Sequence, residues 1–147
     1  MSPAITQANP WLNRLIRGEM SAVETYQRAI KALPMDKDLP KLQMILGEHV
    51  ESVTRLRDHI LAHGSLPPDS SGVWGSWANV VEGTAVMLGK STALRALRAG
   101  EEHGIHDYER ALEDDELPFD GKELINNTLI PKVQSHCDVL DCMIEGE

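Results

Sequence analysis

The feature that most constrains this chain is that it repeats itself. Gly18-Glu19 followed by Tyr26-x-Arg28-Ala29-Ile30 returns 82 residues later as Gly100-Glu101 followed by Tyr108-x-Arg110-Ala111-Leu112, and Leu12 and Leu15 fall on Leu94 and Leu97. Seven identities over nineteen positions stand against roughly one expected from chance pairing at ordinary residue frequencies. The fold must therefore accommodate two equivalent segments. Each copy sets a glutamate and a tyrosine seven residues apart, two helical turns, on an otherwise apolar stripe. Buried carboxylates are rare unless something satisfies them.

Asn9-Pro10 reads as a helix start, with Asn as the cap and Pro in the first turn. From there Leu12, Ile16, Glu19, Val23, Tyr26, Ile30 and Leu33 alternate steps of four and three, which predicts a helix over about 10–33 stopped by Pro34. Leu42, Ile45, His49, Ser52 or Val53, Leu56 and Ile60 outline a second helix over about 39–63, ended by Gly64 and Pro67-Pro68. The short linker makes these two an antiparallel hairpin. Residues 65–90 open with turn formers and continue as a weaker helical pattern carrying Trp74 and Trp77. Capped by Asp69, Ser70 or Ser71 and reaching about Leu88, such a helix spans roughly 27 Å and returns the chain to the far end.

The third helix, about 91–114, turns Leu94, Leu97, Glu101, Ile105, Tyr108 and Leu112 inward. The fourth, about 120–145, does the same with Leu124, Leu129, Val133, His136, Leu140 and Ile144, and Pro131 predicts a kink or local opening within it. Hairpin, long crossover, hairpin, with equivalent first and third helices, describes an all-α antiparallel four-helix bundle in a single domain over 1–147. Scarce aromatics, 4%, and the lack of clustered strand formers agree with an all-helical chain.

A formal net charge of −9 argues against nucleic acid and anionic membrane surfaces, which call for a basic face. No apolar run approaches a membrane span, and the N-terminus lacks the basic and apolar regions of a secretory signal. The expectation is a cytoplasmic protein whose partners are a second copy of itself, as a homodimer, or another protein. Cys137 and Cys142, five residues apart on one helix, point to different faces and are expected to stay unpaired.

Inward glutamates on the first and third helices belong to the scaffold on which carboxylate-bridged metal centres are built. The full set takes one Glu from each of two helices and a Glu-x-x-His from each of the other two. Here the fourth helix offers His136, but Val133 stands three residues before it. On the second helix Glu48-x-x-Glu51 has the right spacing, yet Glu51 lines up with Gly47, Arg55 and Asp58 on a polar face. His49 and Ser52 share the face of Ile45 and Leu56, so His49 is the favoured inward group and Glu48 the alternative. Glu19, Glu101, His136 and one of those two suit a single divalent ion such as iron, manganese or zinc. The competing reading is a polar plug, in which each glutamate bonds the hydroxyl of Tyr26 or Tyr108, a histidine, or Arg17 or Arg98 at the stripe edge. His103 and His106, beside Glu102, Asp107 and Glu109, read as a solvated face. His59 and His63 close the second helix, where they suit its C-terminal dipole.

On the Glu19-to-Tyr26 segment, the Gly64-to-Pro68 turn, the tryptophan-bearing crossover, the Gly100-Glu101 to Tyr108-Glu109-Arg110-Ala111-Leu112 segment and His136-x-x-x-Leu140, the chain resembles the ferritin-like superfamily. That superfamily includes bacterioferritin and rubrerythrin, and within it the sequence is most similar to an uncharacterised bacterial family, a domain of unknown function. The resemblance implies that Glu19 and Glu101 fall where bacterioferritin-type proteins place terminal metal carboxylates, and His136 on the ligand histidine of the fourth helix. It sets Glu48 and Glu51 on the Glu-x-x-His positions, the second not being His, and Val133 in place of a glutamate. The expectation is a non-enzymatic binding or interaction module with an incomplete metal site, with no established catalytic residue. The alternative is a metal-binding protein related to ferroxidases or peroxidases.

Overall fold

The computed structural model describes residues 9–33, 36–72 and 76–146. Over these residues the chain is all-helical, with no strand: α1 (Pro10–Ala32), α2 (Leu39–Ala62), α3 (Ser76–Leu88), α4 (Lys90–Leu112), α5 (Phe119–Leu124) and α6 (Ile130–Glu145), the last two joined by a π-helical stretch, Ile125–Leu129. No helix among the described residues is long and apolar enough to cross a membrane. Both cysteines are free, Cys137 buried and Cys142 exposed.

The helix ends are set by local chemistry. Asn9 caps α1, its Oδ1 accepting from the Trp11 N–H at 2.8 Å, and its Nδ2 donates to Asp114 Oδ2 at 2.8 Å, which ties the start of α1 to the end of α4. Past the end of α2, Gly64 takes φ +77, a left-handed conformation that side chains disfavour. The Ser65 N–H then reaches back to the Ile60 carbonyl at 3.1 Å, closing the helix. Gly89, at φ +89, makes the one-residue turn between α3 and α4 in the same way. Lys90 Nζ donates to Asp36 Oδ1 at 2.6 Å and Asp38 Oδ2 at 2.8 Å, fastening the α1–α2 connection to the start of α4.

The two sequence repeats are α1 and α4, and their direction follows from their own residues. The Tyr26 hydroxyl donates to Glu101 and the Tyr108 hydroxyl to Glu19, so each tyrosine stands level with the glutamate of the other copy. Parallel helices would bring Tyr26 level with Tyr108; α1 and α4 are antiparallel. α1 packs against α2, α3 and α4, and α6 lies along α4.

The core divides into two apolar clusters, one containing Leu15, Ile16, Leu56, Ile60, Ile125, Leu129 and Tyr108, the other Leu42, Ile45, Leu94, Leu97, Leu140 and Tyr26. On α1, α2, α4 and α6 alike, buried polar residues separate the two, among them Glu19, His49, Glu101 and His136. Burying a leucine or isoleucine is worth about 1.5–3 kcal/mol, so the clusters carry the stability and the polar layer is carried by them.

Two elements depart from expectation. α3 begins at Ser76 instead of at Asp69 to Ser71. Ser71 directs its hydroxyl to the Glu24 carboxylate, 3.1 Å from both oxygens, and so is no helix cap. Trp74 and the Pro34 stop lie outside the described residues. α3 presses Ala78, Val81 and Ala85 inward. The kink or local opening expected at Pro131 takes the form of the π stretch just before it. A proline ring clashes with the carbonyl four residues back and offers no N–H, and the wider π turn absorbs both. Inward of that stretch Ile125 is buried while Leu124 is only partly so.

Candidate functional site

Glu19, His49, Glu101 and His136 meet. His49 Nδ1 lies 2.5 Å from Glu19 Oε2 and its Nε2 2.6 Å from Glu101 Oε1. Tyr108 donates to Glu19 Oε1 at 2.5 Å and Tyr26 to Glu101 Oε1 at 2.9 Å. His136 extends the chain, its Nδ1 3.4 Å from Glu101 Oε2 and its Nε2 2.9 Å from Glu48 Oε1. The Tyr26 and His49 rings stack at 5.4 Å, and those of His49 and His136 lie 4.7 Å apart. Glu19, His49, Glu101 and His136 are each 5% exposed or less.

Charge fixes the protonation of the centre. Burial acts to lower the basicity of His49, but the flanking Glu101 and Glu19 carboxylates outweigh it and hold the imidazole well above its ordinary range. Burial likewise acts to raise Glu101, yet His49 and His136 bring it down to about 2. Tyr26 and Tyr108 are pushed up by burial first and by the carboxylates they bond. The centre is an imidazole held between two carboxylates that favour its protonated form, each carboxylate also accepting from the tyrosine of the opposite repeat.

A family model, Domain of unknown function (DUF2383), matches residues 7–114. The chain belongs to that family. The DUF2383 span takes in α1 to α4, and so both glutamates, both tyrosines and His49, and it ends before α5 and His136. No curated protein and no solved structure matches the chain.

Among the positions singled out in the sequence, His49 is the inward residue of α2, together with Ser52, each 3% exposed. Glu48 reaches His136 from the edge with a third of its side chain exposed. Glu51 faces outward to Arg55 and Lys132. Arg17 and Arg98 do not approach the glutamates; Arg17 donates to the Ser70 carbonyl and Arg98 pairs with Asp141 and Glu102. Asp107, read as part of a solvated face, is buried at 7% exposure with Arg14 Nε 3.2 Å from its Oδ2. The repeat holds the signal for this, since Asp107 falls on Thr25, which is 2% exposed.

The donor set does not fit a two-metal centre. A two-metal set of this kind takes a Glu-x-x-His from each of two helices; Val133 is buried three residues before His136, and on α2 the residue three after Glu48 is Glu51, which faces outward to Arg55 and Lys132. Beside the network lies a cavity of about 340 Å3 between α1 and α4. Gly18, Ala22, Gly100 and Gly104 line its walls, and Glu19, Tyr26, His49, Glu101 and Tyr108 also border it. A Cβ at Gly18 or Gly104 would meet nothing within 4 Å, whereas one at Gly100 would come 2.9 Å from the indole nitrogen of Trp77. Trp77 on α3 therefore closes one side of the cavity against a bare stretch of backbone.

Proposed function

We propose that this chain is a ferritin-like four-helix bundle of one domain, formed by α1, α2, α4 and the α5–α6 segment with α3 as crossover, and that it works as a non-enzymatic binding module. A protonated histidine closes its centre where ferritin-like proteins carry metal. The observation that carries this reading is the His49 ring between Glu19 and Glu101, at 2.5 and 2.6 Å. With both nitrogens spent as donors, neither keeps a lone pair for an ion. The adjoining cavity of about 340 Å3 is then the binding site. Pockets of this size take small organic ligands. Its walls are mostly glycine and apolar groups, with carboxylate and hydroxyl acceptors at one side and Arg14, His103 and Asp107 at its border, and favour an apolar body bearing one N–H donor.

The test is nitrogen-detected NMR of the histidine side chains at neutral pH. His49 is expected to carry two N–H protons and to keep them under saturating Zn(II). Loss of those protons on adding zinc overturns the closed centre. For the cavity, benzylamine is expected to shift tryptophan emission and raise the melting temperature, and Gly18→Leu to abolish both effects. Benzylamine leaving both unchanged defeats the binding role.

A second reading rests on a different observation. His49, Glu101 and His136 each offer a ligand atom, all within 4.8 Å of one another and all buried. That grouping supports one iron, manganese or zinc ion, with Glu19 or Glu48 completing the set. It requires His49 to surrender a proton held by two carboxylates. Metal retained by the wild type and lost from a Glu19→Ala/Glu101→Ala variant would favour it.

A further inference from the structure

Away from the centre, the last turn of α2 carries His59 and His63, and Asp120 at the start of α5 faces them. His59 lies ten residues beyond His49, about 15 Å along the helix. His63 Nε2 is 2.8 Å from Asp120 Oδ2, His59 Nδ1 is 3.8 Å from the same oxygen, and the two rings are 4.4 Å apart. His59 is the informative member. Its side chain is only 8% exposed, and the nitrogen that faces Asp120, Nδ1, lies 3.8 Å from the carboxylate oxygen, beyond hydrogen-bond reach. An interaction with the helix dipole calls for neither that burial nor a carboxylate brought opposite.

We propose that His59, His63 and Asp120 form a second, peripheral site for one divalent first-row transition ion of the zinc class, bound through His59 Nδ1, His63 Nε2 and a carboxylate oxygen of Asp120, with water completing the coordination. The three donors already lie within 4.8 Å of one another. Ligands on a tetrahedral ion at bond lengths of about 2.0–2.1 Å stand roughly 3.3 Å apart. The pair at 2.8 Å opens slightly and the pair at 3.8 Å closes slightly, changes within reach of side-chain rotation. Two imidazoles and a carboxylate suit zinc, nickel or copper and not magnesium or calcium. Burial lowers the basicity of His59, and the neutral ring is the one that ligates. Gly121 makes room for the ring, since a Cβ there would come 3.1 Å from His59 Nε2. The ion would clamp the end of α2 to the start of α5.

The experiment uses the full chain without a histidine tag, stripped of metal, titrated with ZnCl2 by calorimetry and with CoCl2 by visible absorption. An ion is expected to bind, with affinity weakened by about tenfold or more in His63→Ala and in Asp120→Asn, both exposed enough to leave the helical circular dichroism unchanged. His136→Gln, which alters the central network, is expected to keep this ion. Zinc affinity unchanged in His63→Ala and Asp120→Asn overturns the site, as does the absence of any binding. Loss in His136→Gln alone also overturns it, and moves the ion to the centre.

Discussion

His49 lies between two buried carboxylates, so its removal and the removal of the whole network differ in sign. His49→Leu leaves Glu19 and Glu101 facing each other without the ring that bonds both, with His136 beside Glu101 alone, and breaking a buried pair in this way costs about 3–5 kcal/mol. Replacing the network together (Glu19→Leu, His49→Leu and Glu101→Leu with Tyr26→Phe and Tyr108→Phe) removes the desolvation burden and is expected to be near neutral or stabilising. Urea denaturation of both variants measures the contrast; equal losses would mean that His49 does not balance the carboxylates. Glu19, His49, Glu101 and His136 were legible in the sequence because each sits on a periodic apolar stripe. Tyr26, Tyr108 and a histidine were legible as partners for the glutamates, but which tyrosine meets which glutamate was not, since the Tyr26–Glu101 and Tyr108–Glu19 pairing depends on helix direction, which a stripe does not encode. Nor was the reach of Glu48, whose side chain is long enough to touch His136 from an off-stripe position.

At the scale of elements, the repeat mates Gly18 and Gly100 have different neighbours because α3 covers only one of them. Gly18→Ala meets open space and removes a helix-interior glycine, a gain of about 1 kcal/mol. Gly100→Ala earns the same propensity but drives a methyl to 2.9 Å from the Trp77 indole, so it is expected to be the less stable of the two and to shift tryptophan emission. Thermal unfolding followed by fluorescence compares them; identical midpoints would mean that Trp77 does not seal this side. The helices built on strong periodicity, α1, α2 and α4, matched the sequence reading to within a residue or two. Ser71, a candidate cap for α3, bonds Glu24 instead, a tertiary contact that sequence spacing does not reveal. The form of the Pro131 distortion was also hidden, because a proline demands relief without specifying whether a kink or a π turn supplies it.

For the molecule as a whole, the network should appear in the dependence of stability on pH. Glu101 is lowered to about 2, so its contribution is present above the ordinary carboxylate range and lost as pH falls through that interval. Asp38, Asp114 and Asp120 are lowered too, by Lys90, Asn9 and His63 respectively, and the acid limb is therefore shared among several groups. The alkaline side separates His49 from the rest. Its basicity is raised in the fold, so its contribution is complete below about pH 6.5 and is lost as pH climbs toward the folded value, by about 1.4 kcal/mol per pH unit. His59, shifted the other way, acts only below about pH 6.5. Burial pushes Cys137 up to about 11, and together with the raised tyrosines it begins to act only above about pH 8.5. Between about pH 7 and 8.5 the slope is thus expected to belong to His49. Urea unfolding across that window should show the wild type losing stability and a His49→Gln variant, less stable at neutral pH, staying flat. A wild type as flat as the variant would mean that the ring between the glutamates is neutral.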